Sequence, residues 1–120
     1  MKIVGYMLGT DPDVLTQLLL EGYETLPLSN GYDNHGKYIT HLTTEDHISL
    51  IVGYLHKFFP IAAQFSMTDL LKSVRVNKIQ VVFIVPKEMH EKADKLVADK
   101  GIDYKLSDPA DLSQVLLDSL

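Results

Sequence analysis

Ile79-Gln80-Val81-Val82-Phe83-Ile84-Val85, closed by Pro86, is the stretch whose reading decides the fold. An exposed strand face would alternate with polar residues. This run is β-branched and aromatic almost throughout, which predicts an interior strand covered on both faces. Coverage on both sides is the habit of a parallel sheet held between helical layers. The residues that follow fit such a layer. Met89, Ala93, Leu96 and Val97 recur at helical spacing, Glu91, Lys92, Asp94 and Lys95 take the wet side, and Gly101 ends the pattern. Ile102 to Leu106 predicts a further strand. Asp108-Pro109 then supplies an N-cap and a first-turn proline for a closing helix carried by Leu112, Val115, Leu116 and Leu120.

Towards the amino end the same alternation repeats. Lys2 to Leu8 is apolar without a period of two, and predicts strand one. Asp11-Pro12-Asp13 caps a helix in which Val14, Leu15, Leu18 and Leu19 recur at helical spacing, up to Gly22. Tyr23 to Leu28 predicts strand two, and Pro27, which lacks a ladder donor, favours the sheet edge for it. Residues 29–47 are polar and irregular, with one helical turn expected near Tyr38 to Leu42. Ile48 to Leu55 predicts strand three. Pro60 to Val74 predicts a helix with Ile61, Met67, Leu70, Leu71 and Val74 inward and Ser66 and Asp69 spaced as a capping box, with Phe58 and Phe59 at its entrance.

These elements predict one α/β domain over residues 1–120, a three-layer α/β/α sandwich. Its expected core is a five-stranded parallel sheet of order 2-1-3-4-5, flavodoxin-like or Rossmann-like, in which a loop largely replaces the helix between strands two and three. Composition agrees with a globular domain: 46% of the residues are hydrophobic and 22% charged. A chain of 120 residues buries about two-thirds of its unfolded surface without a staple. There is no cysteine, which excludes disulfides, thiolate metal sites and cysteine nucleophiles. A net charge of −5 with no basic stripe argues against nucleic acid. No signal-peptide pattern opens the chain, and no run reaches the roughly 18 apolar residues of a membrane span. A cytoplasmic location is expected.

Strands one, two and three end in Gly9-Thr10-Asp11, Ser29-Asn30-Gly31 and His56-Lys57. Open α/β sheets bind ligands beyond the carboxyl ends of their strands, where the strand order reverses. The candidate ligand-binding residues are therefore Gly9, Thr10, Asp11, Ser29, Asn30, Asp33, His35, Lys37, His56, Lys57 and Lys87. The expected ligand is a small polar metabolite or nucleotide, with residues 29–47 as a lid. Asp11 and Asp13 already occupy the positive end of the first helix, so a hydroxyl, amine or divalent cation suits the Gly9-Thr10-Asp11 turn better than phosphate. The glycine spacing of a dinucleotide fingerprint and the Gly-Lys-Ser/Thr ending of a P-loop are both missing. Lys57 and Lys87, at neighbouring strand ends, offer point charges for a carboxylate or phosphate.

His35, His41 and His47 recur every six residues, but His47 opens strand three while His56 follows it, and such strand ends stand roughly 25–30 Å apart. Only His35, His41 and His56 could converge on a metal, and surface histidines on a polar loop are the simpler expectation. His90, at a helix start, is expected to be merely exposed. An acid–base pairing of His35 or His56 with Asp11 or Asp33 is chemically feasible. Ser29-Asn30-Gly31 reads as turn chemistry ahead of a nucleophile. The residues thus specify a location for a site and leave both its cofactor and its reaction open. The alternative is an accessory protein acting through association, a homodimer first, by way of Phe58, Phe59 and Pro60 and of Leu116, Leu117 and Leu120 in the closing helix.

Overall fold

A computed structural model describes residues 2–31, 33–59 and 71–120. Six strands form its sheet: β1 (Ile3–Tyr6), β2 (Glu24–Ser29), β3 (Lys37–Tyr38), β4 (Ile48–Tyr54), β5 (Gln80–Ile84) and β6 (Tyr104–Ser107). Among the described residues these helices accompany them: α1 (Pro12–Leu20), α2 (Lys72–Val76), α3 (His90–Val97) and α4 (Leu112–Ser119). Every strand pairing is parallel and the order is β3-β2-β1-β4-β5-β6. The α/β class is as expected from the sequence. The expected order 2-1-3-4-5 is extended by one strand, because Lys37 and Tyr38 pair with Leu28 and Ser29. β2 is consequently interior rather than an edge. Pro27 permits this because β3 joins only beyond it, where Leu28 and Ser29 again offer backbone donors.

Burial on both faces explains the unbroken apolar runs. Successive side chains of a strand point to opposite faces, and β5 divides accordingly: Val82 and Ile84 enter one core, Val81, Phe83 and Val85 the other. The first core is closed by Val14 and Leu18 of α1 and by Leu112 and Leu116 of α4. The second is closed by Leu71, Val74, Ala93 and Val97. Each such side chain contributes roughly 1.5–3 kcal/mol when fully buried. Helix α1 has the punctuation expected of it. The Asp11 carboxylate accepts from the Asp13 amide, Pro12 takes the first turn, and Gly22, at φ +92°, lets the Tyr23 and Gly22 amides close back on the carbonyls of Leu18 and Leu19.

The expected turn near Tyr38 to Leu42 is a 3-10 turn over Ile39–His41, followed by a second over Thr44–Asp46. Ile39 and Leu42 are buried in the second core, where a crossover helix would otherwise lie. The expected inward stripe of α3 is corrected: Ala93 and Val97 are buried, but Met89 is 54% and Leu96 46% exposed. Met89 belongs to the 3-10 turn Lys87–Met89 before the helix, so helical spacing does not carry it inward. Residues 60–70 of the helix predicted over Pro60 to Val74, with Ile61, Met67, Leu70, Ser66 and Asp69, lie outside the described residues; Leu71 and Val74 are buried as expected.

Where β1 meets β4 the packing leaves no room for a side chain at Gly53. A Cβ on Gly53 would lie 2.6 Å from Met7 Cγ, 2.7 Å from Met7 Cβ and 3.2 Å from Phe58 Cε2. Met7 and Phe58 are wholly buried, and Phe58 meets Phe83 edge to face at 4.9 Å. Gly53→Ala is therefore expected to destabilise the protein by about 1–3 kcal/mol, read from urea unfolding. An unchanged midpoint would contradict this packing.

Candidate functional site

The order of the sheet places the reversal between β1 and β4, since the chain passes from β1 to β2 and β3 on one side and returns to β4 on the other. The carboxyl ends of these strands hold the buried polar side chains found among the described residues: Thr10 after β1, Ser29 and Asn30 at the end of β2, and, farther along the edge, Ser107 at the end of β6. Polar groups are buried only where bonded partners compensate their lost hydration. Thr10 Oγ1 donates to the Met7 carbonyl at 2.8 Å, and Asn30 Nδ2 donates to the Lys57 carbonyl at 3.0 Å. The second bond crosses from the end of β2 to the turn after β4, and so spans the mouth of β1.

Ser29 is consumed by its turn. Its Oγ donates to the Asp33 carbonyl at 2.6 Å and accepts from the Gly31 amide at 3.0 Å. Gly31 stands at φ +92°, a region that favours glycine, and a Cβ there would press on the Tyr38 ring at 3.1 Å. The Asp33 carboxylate accepts from the His35 amide at 3.3 Å. It therefore shapes the loop backbone, and the imidazole is oriented by another group: His35 Nδ1 lies 2.9 Å from the Leu28 carbonyl. A carbonyl only accepts, so Nδ1 carries the proton and Nε2 of the neutral ring is left as an acceptor. The His35 ring also packs edge-on to Tyr6, the last residue of β1, with centroids 5.1 Å apart.

Gly9, at φ +92°, turns the chain from β1 into α1, and a Cβ built there would stand 4.0 Å from Lys57 Cε. The Lys57 stem thus leans over the β1 turn. Asp11 is occupied in capping α1. The structure therefore brings together Gly9, Thr10, Ser29, Asn30, Asp33, His35 and Lys57, and draws the remaining candidates elsewhere. His56 tilts towards the Tyr54 ring, 6.0 Å away, on the β5 side of β4. The Lys87 amide donates to Asp108, tying the ends of β5 and β6 together. Lys37 pairs with Asp46 at 2.6 Å, beyond the loop. His35, His41 and His56 each meet a different tyrosine, Tyr6, Tyr38 and Tyr54, and no three His, Cys, Asp or Glu residues gather as metal ligands among the described residues. His90 is half-buried, with Nε2 2.8 Å from the Val85 carbonyl. Phe58 and Leu116, named for an association surface, are core residues, and Leu117 and Leu120 pack against that core.

No sequence pattern flagged the Lys57 carbonyl or the Leu28 carbonyl, which hold Asn30 and His35. Backbone acceptors exist at every residue and leave no trace in composition.

Ionisation follows the same stitching. The bond from Lys37 and the Thr43 amide hold the Asp46 carboxyl below its usual range, and the amides of Ala110 and Lys87 do the same for Asp108. Tyr104 donates to Asp94 and is pushed up to about 12, first by that bond and then by burial and the carboxylate's charge.

No family model matches the chain, and no curated protein matches it. A solved structure described as a crystal structure of an uncharacterized protein is similar in fold, with a TM-score of 0.53 at 15% identity over 96% of each chain. Identity that low speaks for the fold alone. Among the described residues, no helix is long and apolar enough to cross a membrane.

A carboxyl held low in the folded state stabilises it above the unfolded value of about 3.9, and that contribution disappears as pH falls through the folded value. For Asp46 the loss is thus expected as acidification passes the unfolded value and then the lowered folded one. Lys37 is 40% exposed, so solvent screening limits the pair to no more than about 1 kcal/mol. Lys37→Met should flatten the pH dependence of the urea midpoint in that window. A profile identical to that of the parent would remove the ion pair from the ledger of loop stability.

Proposed function

We propose that this chain is a cytoplasmic small-molecule-binding module whose ligand, a small polar metabolite or nucleotide, sits beyond the carboxyl ends of β1 and β4. The supporting observation is the convergence of Thr10, Asn30, His35 and Lys57 around the end of β1, at the reversal of strand order. The crevice offers an acceptor in His35 Nε2, a point charge in Lys57 and, at Gly9, backbone with no side chain of its own. A hydroxyl or amine answers the imidazole, and a carboxylate or phosphate answers the ammonium. The lid of this reading is narrower than residues 29–47. Ile39 and Leu42 are anchored in the core, Lys37 is tied to Asp46 and Asn30 to the Lys57 carbonyl, so that of the described loop residues Gly31 and Asp33 to Gly36 are the ones placed to close over the ligand in this proposal.

A thermal-shift screen of mononucleotides, sugar phosphates, amino acids and divalent cations tests the proposal. Ligand at about a hundredfold its Kd adds roughly 2.7 kcal/mol, a rise of roughly 10 °C for a domain of this size. The ligand's shift should shrink strongly in Lys57→Ala. A screen without a single stabilising compound, or a shift that ignores Lys57, would count against the crevice.

A further inference from the structure

The exposed pair Met89 and Leu96 has a place in the fold. They form one wall of a groove of about 360 Å³, opposite Tyr54, Leu55 and Phe59 and above Pro86, at the carboxyl ends of β4 and β5. We propose that this groove is a second binding site, for a small planar aromatic molecule carrying no more than one negative charge.

Size is the first argument. Pockets for small ligands begin at about 300 Å³, so the groove suits one compact ring system and is too small to seat a protein helix. Chemistry is the second. Its walls carry a thioether, a phenol and a phenyl ring, which hold an aromatic guest through sulfur–ring and edge-to-face contacts as well as by area. Among the described residues no carboxylate lines it, so a cationic guest finds no counter-charge there, whereas the imidazole of His56 stands among the lining residues to receive one anionic or accepting group.

The exposure of the wall is itself informative. Ala93 and Val97 of α3 are buried while Met89 and Leu96 are 54% and 46% exposed, and both of these exposed side chains line the same concave feature. The groove is separate from the polar crevice. His56 lies on the β5 side of β4, and Lys57 leans to the β1 side, so the two consecutive residues serve different edges of one turn. Neither site needs the other to be occupied.

Titration with anilinonaphthalene sulfonate, an aromatic monoanion, tests the inference. Saturable one-to-one fluorescence enhancement is expected, with movement of the Met89 methyl resonance and none of the Met7 methyl, which is wholly buried. Met89→Glu and Leu96→Gln each alter a partly exposed residue and should weaken the dye by about tenfold or more, with the urea midpoint close to that of the parent. Binding that is unsaturable or absent would overturn the inference. So would an affinity equal to that of the parent in both variants, or a Met7 methyl that moves with that of Met89.

Discussion

The close approach of Met7, Gly53 and Phe58 is the constraint on which the rest of the structure depends. Met7 follows β1, Gly53 lies one residue from the end of β4, and the space a Cβ would need at Gly53 is already taken by Met7 and bordered by Phe58. Phe58 reaches that space only if the chain folds back directly after β4, and the 3-10 turn Leu55–Phe58 does so. The turn then presents the Lys57 carbonyl to Asn30 and the Lys57 stem to Gly9, and leaves His56 facing β5. One core contact thereby sets the positions of a polar crevice and of an apolar groove on either side of β4.

The loop between β2 and β4 takes its character from the same economy. A parallel crossover ordinarily uses a helix to cover the sheet. Here two short 3-10 turns and the buried Ile39 and Leu42 supply the cover, and Ser73 and Asn77 at α2 donate to the carbonyls of Thr40 and Leu42. That half of the connection is fastened to the body of the protein. The half near the strand ends combines local bonds, Ser29 to Asp33 and Asp33 to His35, with longer links from Asn30 to the Lys57 carbonyl and from His35 to the Leu28 carbonyl.

Most of the sheet was legible in the sequence because strands covered on both faces must be apolar nearly throughout, as Ile79 to Val85 and Ile48 to Leu55 are but for Gln80 and Ser49. Helix α1 was legible because Asp11, Pro12 and Gly22 perform tasks few other residues perform as well. β3 was not, since Lys37 and Tyr38 join the sheet through backbone groups over two residues and show no apolar pattern. Pro27 misled for a related reason: its missing donor constrains one position, and β3 begins just beyond it. The site was legible as a place, because strand ends that break into Gly, Asn and Ser announce turns at one edge of a parallel sheet. Its internal wiring was hidden. Asn30 and Lys57 are 27 residues apart and meet through a carbonyl, so the contact leaves no side-chain signature.

The proposal stands on Gly31 and Asp33 to Gly36 closing over a ligand at the end of β1 while residues 37–46 stay fixed. Amide hydrogen exchange across the chain, with and without the most stabilising compound of the thermal screen, tests it most directly. Slowed exchange confined to Gly9, Thr10, Lys57 and residues 31–36, with residues 37–46 unchanged, is the expected result. Protection that appears in residues 37–46 or along α1 instead, with the β1 turn unaffected, would contradict it.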